Sequence, residues 1–593
     1  MKLFSFKCVL GLLLLFVFLT VDISAKEFWV KQGANGDGKS KSSPAGELWK
    51  VLAGAVRGDV INVAQGEYNG KNGSGEFRID VPDLTLVGGY NDDFSQRNPF
   101  KYLTILRTKK GKRINYTQVV GGIIGMKYEP GKKYSASGLI LDGFVIDGST
   151  RNKYDRYGKL ITQSSWKEPL IKLATTDFYT SVNIKIRNCI LVNGYYQGIY
   201  VKWWGDQNEV SNTLIVGTMI AGIDNTGTMP GSVSGAPGKV PDAKITMKNN
   251  TIAFQWTHDK AQQSRGIKLG SRGSYVIENN VIAYLMKPSG EGIWGTGEGK
   301  SATVKGNVFW LTEHPFTGGD DKAQAAVAPD DSDDEEEEEE EGSTSGVSGF
   351  SVENNVVKDP GFKLDADYYN SFLKWAAQYD HMSLKKINKD RKLHGFDEII
   401  KVGTHFKTPI PPSEKVWGRK YDLEKLIPNF VSKIKGKGIQ VNGPFPTYKE
   451  RKPDPKILGG VAGKKSEYTK ITFEQLRSGS GLKAGMKVKL KIGLGPFKKS
   501  WGLSKKGITP VDYIEFIARK SGVTKEFLKE KIPAYIYIGT KAAKRYNKYG
   551  HMKVRKKTWK KGKGVWIRGI LFKGGYNGQY PYSIVVDYMG KAK

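Results

Sequence analysis

Between Leu139 and Val357 one short pattern recurs: alternating β-branched and polar residues, then Asn or Gly, then a second apolar pair. It reads IKIRNCIL with Asn188, NEVSNTLI with Asn212, ITMKNNTIA with Asn250, YVIENNVIA with Asn280, ATVKGNVFW with Asn307 and FSVENNVVK with Asn355; LILDGFVID around Gly143 is an earlier copy. Successive Asn residues lie 24, 38, 30, 27 and 48 positions apart. The shortest spacing suits one coil of a β-helix, and the longer ones require loops bulging from a corner. A single coil cannot bury its own apolar face, whereas stacked coils bury a shared core. Asn fits the corner because it tolerates left-handed backbone angles, and stacked amides can form a ladder. A second recurrent strand follows several corners: GIYVK from Gly198, GIDNT from Gly222, GIKLG from Gly266 and GIWGT from Gly292, with LIKLA from Leu170 as a relative. Two recurring strands per coil predict a mainly β chain built on a right-handed parallel β-helix.

Both ends of the repeat extend this picture. Gly46 to Val56 has helical apolar spacing and predicts a short helix over the first coil, which protects an open edge. The segments FWVKQGANGDGKSKSSP, GDVINVAQGEY, LVGGYNDDFSQRNPFKYLTIL (Leu86–Leu106) and ENNVVKDPGF resemble secreted pectin-lyase-like β-helix proteins over about Phe28 to Phe362. The resemblance implies the fold. It leaves activity open, since this fold serves lyases, hydrolases, adhesins and structural proteins.

Beyond Phe362 the repeat stops. Tyr368–Asp380 reads as a helix, and Pro409, Pro411, Pro412, Pro444, Pro446, Pro453 and Pro455 punctuate a connector that can lie along the β-helix. From about Ile457 the pattern becomes α+β. KVKLKIGL, AYIYIG, GVWIRGILF and YSIVVDYMG read as strands, and Thr509–Lys520, opening Thr-Pro, reads as a helix. The expected organisation is a signal peptide over 1–25, the β-helix over 26–362, a connector over 363–456 and a smaller basic α+β domain over 457–593.

Charge separates these modules. Of the net +34, residues 461–593 carry +25, from 32 Lys and Arg against 7 Asp and Glu. Asp330 to Glu341 is the opposite extreme, and the surrounding segment (about 320–346) is expected to be a disordered acidic loop. Lys2 and Lys7, the apolar run Val9–Thr20 and the small residues ending at Ala25 form a cleavable export signal. That run is too short to span a bilayer, which takes roughly twenty residues. No later stretch is apolar enough, so the mature chain is read as a secreted, periplasmic or cell-surface monomer without a transmembrane segment. Cys189 is then the single cysteine of the mature chain, which excludes an intramolecular disulfide or a multi-cysteine metal site; it reads as a small core residue.

Strand alternation places candidate chemistry. With each Ile of the Gly-Ile strands pointing inward, Lys172, Tyr200, Asp224, Lys268 and Trp294 form one outward row. Lys202 follows two residues on, Trp203 and Trp204 lie just past the strand, and Gln197, Arg265 and Glu291 precede it. Aromatic rings stack on sugar faces and cations pair with uronates, so Tyr200, Lys202, Trp203, Trp204, Asp224 and Trp294 are candidate substrate-binding residues. By the chemistry of β-helix lyases that the resemblance implies, Lys268 or Lys172 is the candidate base and Arg265 the stabiliser of developing negative charge. Asp224 either holds a Ca2+ ion or pairs with Lys268. An exposed sheet that balances its own charge would show the same residues. His258 and His314 lack metal-spaced partners. In the basic domain, KVRKKTWKKGKG supplies Lys553, Arg555, Lys556, Lys557, Lys560 and Lys561 as candidate contacts to an acidic polysaccharide or another extracellular polyanion; export disfavours intracellular nucleic acid. The sequence therefore points to a secreted carbohydrate-engaging protein or a polysaccharide lyase. The alternative is a non-catalytic surface or matrix scaffold or adhesin.

Overall fold

The computed structural model describes residues 25–109, 123–126, 134–150, 168–173, 181–225, 243–256, 264–270, 273–285, 290–295, 301–312, 314–317, 350–363, 423–449, 451, 463–498, 512–521, 532–549, 564–574 and 581–592. The export signal, the Tyr368–Asp380 helix, the acidic loop and the basic segment Lys553–Lys561 lie outside them. The chain divides into two compact units, one mainly Glu27–Arg451 and the other mainly Lys452–Lys498 with Ile514–Lys593.

The first unit is a parallel β-helix. Three sheets of ten, eight and nine strands each keep their strands in chain order, so every strand pairs with its counterpart one coil away. Val30, Ile61, Leu86, Leu141, Ile186, Val210, Ile245, Ile277 and Val304 stack inside it, and buried Cys189 belongs to the same core. Helix α1 (Leu48–Gly54) turns Leu48 and Leu52 into that core at its N-terminal end.

The corner Asn residues form two adjacent rows, not the single row read from the repeat. Asn188, Asn212, Asn249, Asn279 and Asn354 have positive φ, and Gly143 and Gly306 take the same place in their coils. The next residue points inward. Asn355 Oδ1 accepts from the backbone N–H and the side-chain amide of Asn307, each at 2.8 Å, and the arrangement repeats from Asn307 to Asn280 and from Asn280 to Asn250. The row continues as Thr213, whose N–H donates to Asn250 Oδ1 at 3.1 Å. Asn280→Ala deprives two buried donors on Asn250 of their acceptor and Met247 O of its donor. A loss of about 2 kcal/mol is expected from those unmet groups, read as a lower urea midpoint at unchanged m-value.

Of the Pro-punctuated connector, the described residues 423–449 and 451 lie along the β-helix. Helix α2 (Leu423–Asn429) and residues 430–449 cover the outer face of the nine-stranded sheet, where Ile427, Phe430 and Ile439 pack against Ile190, Leu214, Phe254 and Val281. This strap runs back along the stack. Lys433 N–H donates to Pro360 O, Gly438 N–H to Asn279 O, Ile439 N–H to Thr251 Oγ1, Tyr448 OH to Asp142 Oδ2 and Arg451 N–H to Gly58 O.

The second unit is a small β-barrel. For the strands that carry chemistry we use β1 (Ile171–Leu173), β2 (Ile199–Val201), β3 (Ala221–Asn225), β4 (Arg265–Leu269), β5 (Glu291–Gly295) and β6 (His314–Thr317) in the β-helix. The barrel strands are β7 (Lys487–Lys498), β8 (Tyr513–Lys520), β9 (Ile532–Tyr537), β10 (Val565–Lys573) and β11 (Tyr582–Ala592). Their order is β7-β8-β9-β11-β10, and a β7–β10 pairing closes the ring. Strand β9 pairs β11 in parallel, and helix α4 (Lys541–Tyr549) lies between β9 and β10, which is the strand order of an OB-fold barrel. Helix α3 (Phe473–Ser478) precedes β7, with Thr472 and Gln475 forming a capping box.

The four predicted strands of this domain are present, but the predicted helix at Thr509–Lys520 is not: Tyr513–Lys520 is strand β8. Ile514, Phe516 and Ala518 enter the barrel core at period two, while Tyr513 and Ile517 are buried on the opposite side. A strand covered on both faces reads as a continuous apolar run, which periodicity cannot tell from a buried helix.

Candidate functional site

Strands β1 to β6 belong to the eight-stranded sheet, where the outward row was expected, and their pairing brings the row into register. Lys172 lies opposite Tyr200, Tyr200 opposite Asp224, Asp224 opposite Lys268 and Lys268 opposite Trp294, with Thr317 next. With strands about 4.8 Å apart, Lys172 to Trp294 spans about 19 Å. A second row, Arg265 opposite Glu291 opposite His314, flanks it at the strand starts.

The row is not a uniformly open surface. Asp224, expected to face solvent, is 1% exposed. Its Oδ2 accepts from Gln197 Nε2 at 2.9 Å and lies 3.7 Å from Lys268 Nζ, while Oδ1 has no partner among the described residues. Burial raises its carboxyl above the usual range, opposed by Lys268, Gln197 and Arg265. Arg265 forms an ion pair with buried Glu291, whose carboxyl burial also raises and Arg265 opposes. The Arg265 guanidinium lies 4.0 Å from the centroid of the Trp294 ring, and Lys268 Nζ lies 5.5 Å from it. Both are cation–π contacts that fix the half-buried indole between two ion pairs. Lys172 is 2.7 Å from Glu168.

Trp203 and Trp204 do not belong to this surface. Trp203 is fully buried and fills the coil interior with Ile199 and Val201. The three share one parity along the strand, so alternation carried through the turn places Trp203 inside. Trp204 is 4% exposed, and its backbone bridges Val182 at the equivalent corner of the preceding coil. Tyr200 and Lys202 are half-buried, and burial lowers the Lys202 ammonium.

Three cations and three carboxylates therefore alternate along this face: Lys172 with Glu168, Lys268 with Asp224, Arg265 with Glu291. The two candidate bases thus each stand against a carboxylate, Lys172 against Glu168 and Lys268 against Asp224. The described residues do not make a calcium cage at Asp224. That ion takes six to eight oxygen ligands, whereas Asp224 and Gln197 stand beside an ammonium. No group of three or more His, Cys, Asp or Glu side chains poised for a metal occurs among the described residues. Among those residues, no helix is long and apolar enough to cross a membrane. No protein-family model matches the chain, and no curated protein matches it.

Proposed function

We propose that this is a secreted, carbohydrate-engaging protein whose β1–β6 face holds a glycan chain without cleaving it. One observation carries the reading: an indole fixed between the Lys268–Asp224 and Arg265–Glu291 pairs, in a straight row with Tyr200 and Lys172. The ring offers an apolar plate for sugar C–H faces. Lys268 and Arg265 offer donors for hydroxyls beside it, and their buried carboxylate partners cancel their charge. The β-helix supplies these groups at one-strand intervals, as an extended chain of sugars requires.

Affinity electrophoresis of the full chain against neutral and uronate polysaccharides, with and without calcium, tests this. Trp294→Ala is expected to weaken the retained glycan about tenfold, the size of a lost buried aromatic contact. Retardation by no polysaccharide would leave the β-helix as a rigid spacer, the scaffold reading. A catalytic reading is favoured by one observation, the Lys202 ammonium pulled down by burial. If that side chain is the base of a lyase, ultraviolet absorbance of an unsaturated uronate should accumulate with wild type and vanish with Lys202→Ala.

A further inference from the structure

The barrel carries a basic face that neither the sugar-holding row nor its own stability explains. Along β7, Val488, Leu490 and Ile492 enter the core, so Lys487, Lys489 and Lys491 point outward. In the β7–β10 register Lys489 lies directly opposite Arg568 and Lys491 opposite Trp566. On the other side of β7, Lys470 from the short strand Thr469–Lys470 lies opposite Lys489. Lys470, Lys489 and Arg568 thus stand side by side across three strands, about 4.8 Å apart.

Like charges placed directly opposite one another destabilise a sheet. A face kept only for solubility gains by alternating signs, as the β1–β6 face does. Among the described residues the acids beside this face are Glu467, paired with Lys487, and buried Asp587, which Arg568 and Lys487 flank. Trp566 adds a second unexplained feature: it is 37% exposed, one of two large exposed apolar side chains among the described residues. In OB barrels ligands use the face of the second and third strands. On β8 and β9 of this barrel, Glu515, Tyr535 and Tyr537 are buried.

We infer that the β7–β10 face, with Lys470, Lys489, Arg568 and Trp566 at its centre, is a docking surface for a linear acidic polysaccharide. Lys470 and Lys489 pair with successive carboxylates, Arg568 stays on its rings and adds to the positive field, and Trp566 stacks on a sugar ring. Two observations favour a glycan over single-stranded nucleic acid. Nucleic acid needs a succession of open rings, yet Arg568 already lies 3.9 Å from the Tyr588 centroid and 5.1 Å from that of Tyr468. Lys470 and Lys489 are point charges suited to single carboxylates, whereas the forked guanidinium preferred at phosphates is committed to those two rings. The inference deepens the carbohydrate reading by giving the second unit its own acidic-glycan surface. It is separable from the β-helix face because the two respond to different substitutions.

The test uses the full chain with polygalacturonate and single-stranded oligothymidine as probes, across a salt series. The double variant Lys470→Gln, Lys489→Gln is expected to weaken polygalacturonate binding about tenfold at low salt and to flatten its salt dependence. Its melting temperature should hold or rise, because like-charge repulsion is relieved; a merely structural pair would lower it. Trp566→Ala should weaken binding about fivefold at every salt concentration. Trp294→Ala should leave the salt-sensitive component intact, so failure there counts only against the β-helix reading. Unchanged polygalacturonate affinity in the double variant would overturn the inference. So would oligothymidine binding as tightly as polygalacturonate, which would mark the face as a nucleic-acid surface.

Discussion

Asp142→Ala is expected to destabilise the β-helix unit by about 3–5 kcal/mol, the cost of leaving a buried charge without its partner. Asp142 is fully buried, and one carboxylate oxygen accepts from the Arg97 guanidinium and from Asn188 Nδ2 at 2.8 Å. The other accepts from Tyr448 OH at 2.6 Å. Arg97 is itself 4% exposed in its side chain, and it also donates to Gly88 O at 3.0 Å and Pro446 O at 2.9 Å. Removing the carboxylate therefore strands an arginine, a phenol and an amide together. The network joins three distant stretches: the loop carrying Arg97, the coil carrying Asp142 and the strap carrying Tyr448 and Pro446. Tyr448→Phe removes the phenol's hydrogen bonds with Asp142 and Arg187 but leaves the ion pair, so its cost should be about 1 kcal/mol. Urea denaturation of the full chain, following the β-helix transition, reads the difference. Amide exchange should quicken at strap residues 440–449 in both variants and much more in Asp142→Ala. A loss near 1 kcal/mol in both would mean that Arg97 finds water once its partner is gone.

That network marks the limit of what the sequence could reveal. The coils were legible because recurrence and alternation together fix both the strand faces and the register between coils. Lys172 through Trp294 align on sequence alone, and the structure pairs them in that register. Burial was not legible by the same route. Asp224 has the outward parity assigned to it, yet Gln197 and Lys268 lie against it, and parity says nothing about what side chains do above the sheet. Trp203 was misplaced although its parity with Ile199 and Val201 pointed inward. The two Asn rows differ by one residue, and the varying NC, NT, NN and GN dipeptides merge them. The strap was visible only as a Pro-rich stretch. Its contacts, such as Gly438 with Asn279, join positions too far apart for any local pattern to link. In the barrel, Thr-Pro before an apolar run is a sound helix-start signal, overridden at β8 by pairing with β7.

Asp587→Asn is expected to stabilise the barrel at neutral pH, against the usual result of altering a buried polar group. Asp587 is 5% exposed. Its Oδ2 accepts from Tyr468 OH at 2.5 Å and its Oδ1 has no partner among the described residues. Burial outweighs Tyr468, Arg568 and Lys487 and raises the carboxyl from 3.8 to about 6. The sign follows from proton linkage. The folded barrel holds this proton more tightly than the unfolded chain does. The associated stability is fully present below about pH 4 and is lost as pH rises through about 6. A shift of about two units corresponds to roughly 3 kcal/mol lost by pH 8. Asparagine keeps the shape, accepts from Tyr468 through its carbonyl oxygen, and has no charge to desolvate. The variant should therefore gain about 2–3 kcal/mol over wild type at pH 8. At pH 4, where Asp587 is neutral, the two should unfold together. Denaturation curves for the barrel transition at pH 4, 6 and 8 distinguish this from a generic repacking effect, which would be the same at every pH. Destabilisation that grows from pH 4 to pH 8 would show that ionised Asp587 is held by Arg568 and Lys487. It would then be part of the charge balance of the basic face, not a cost to the barrel.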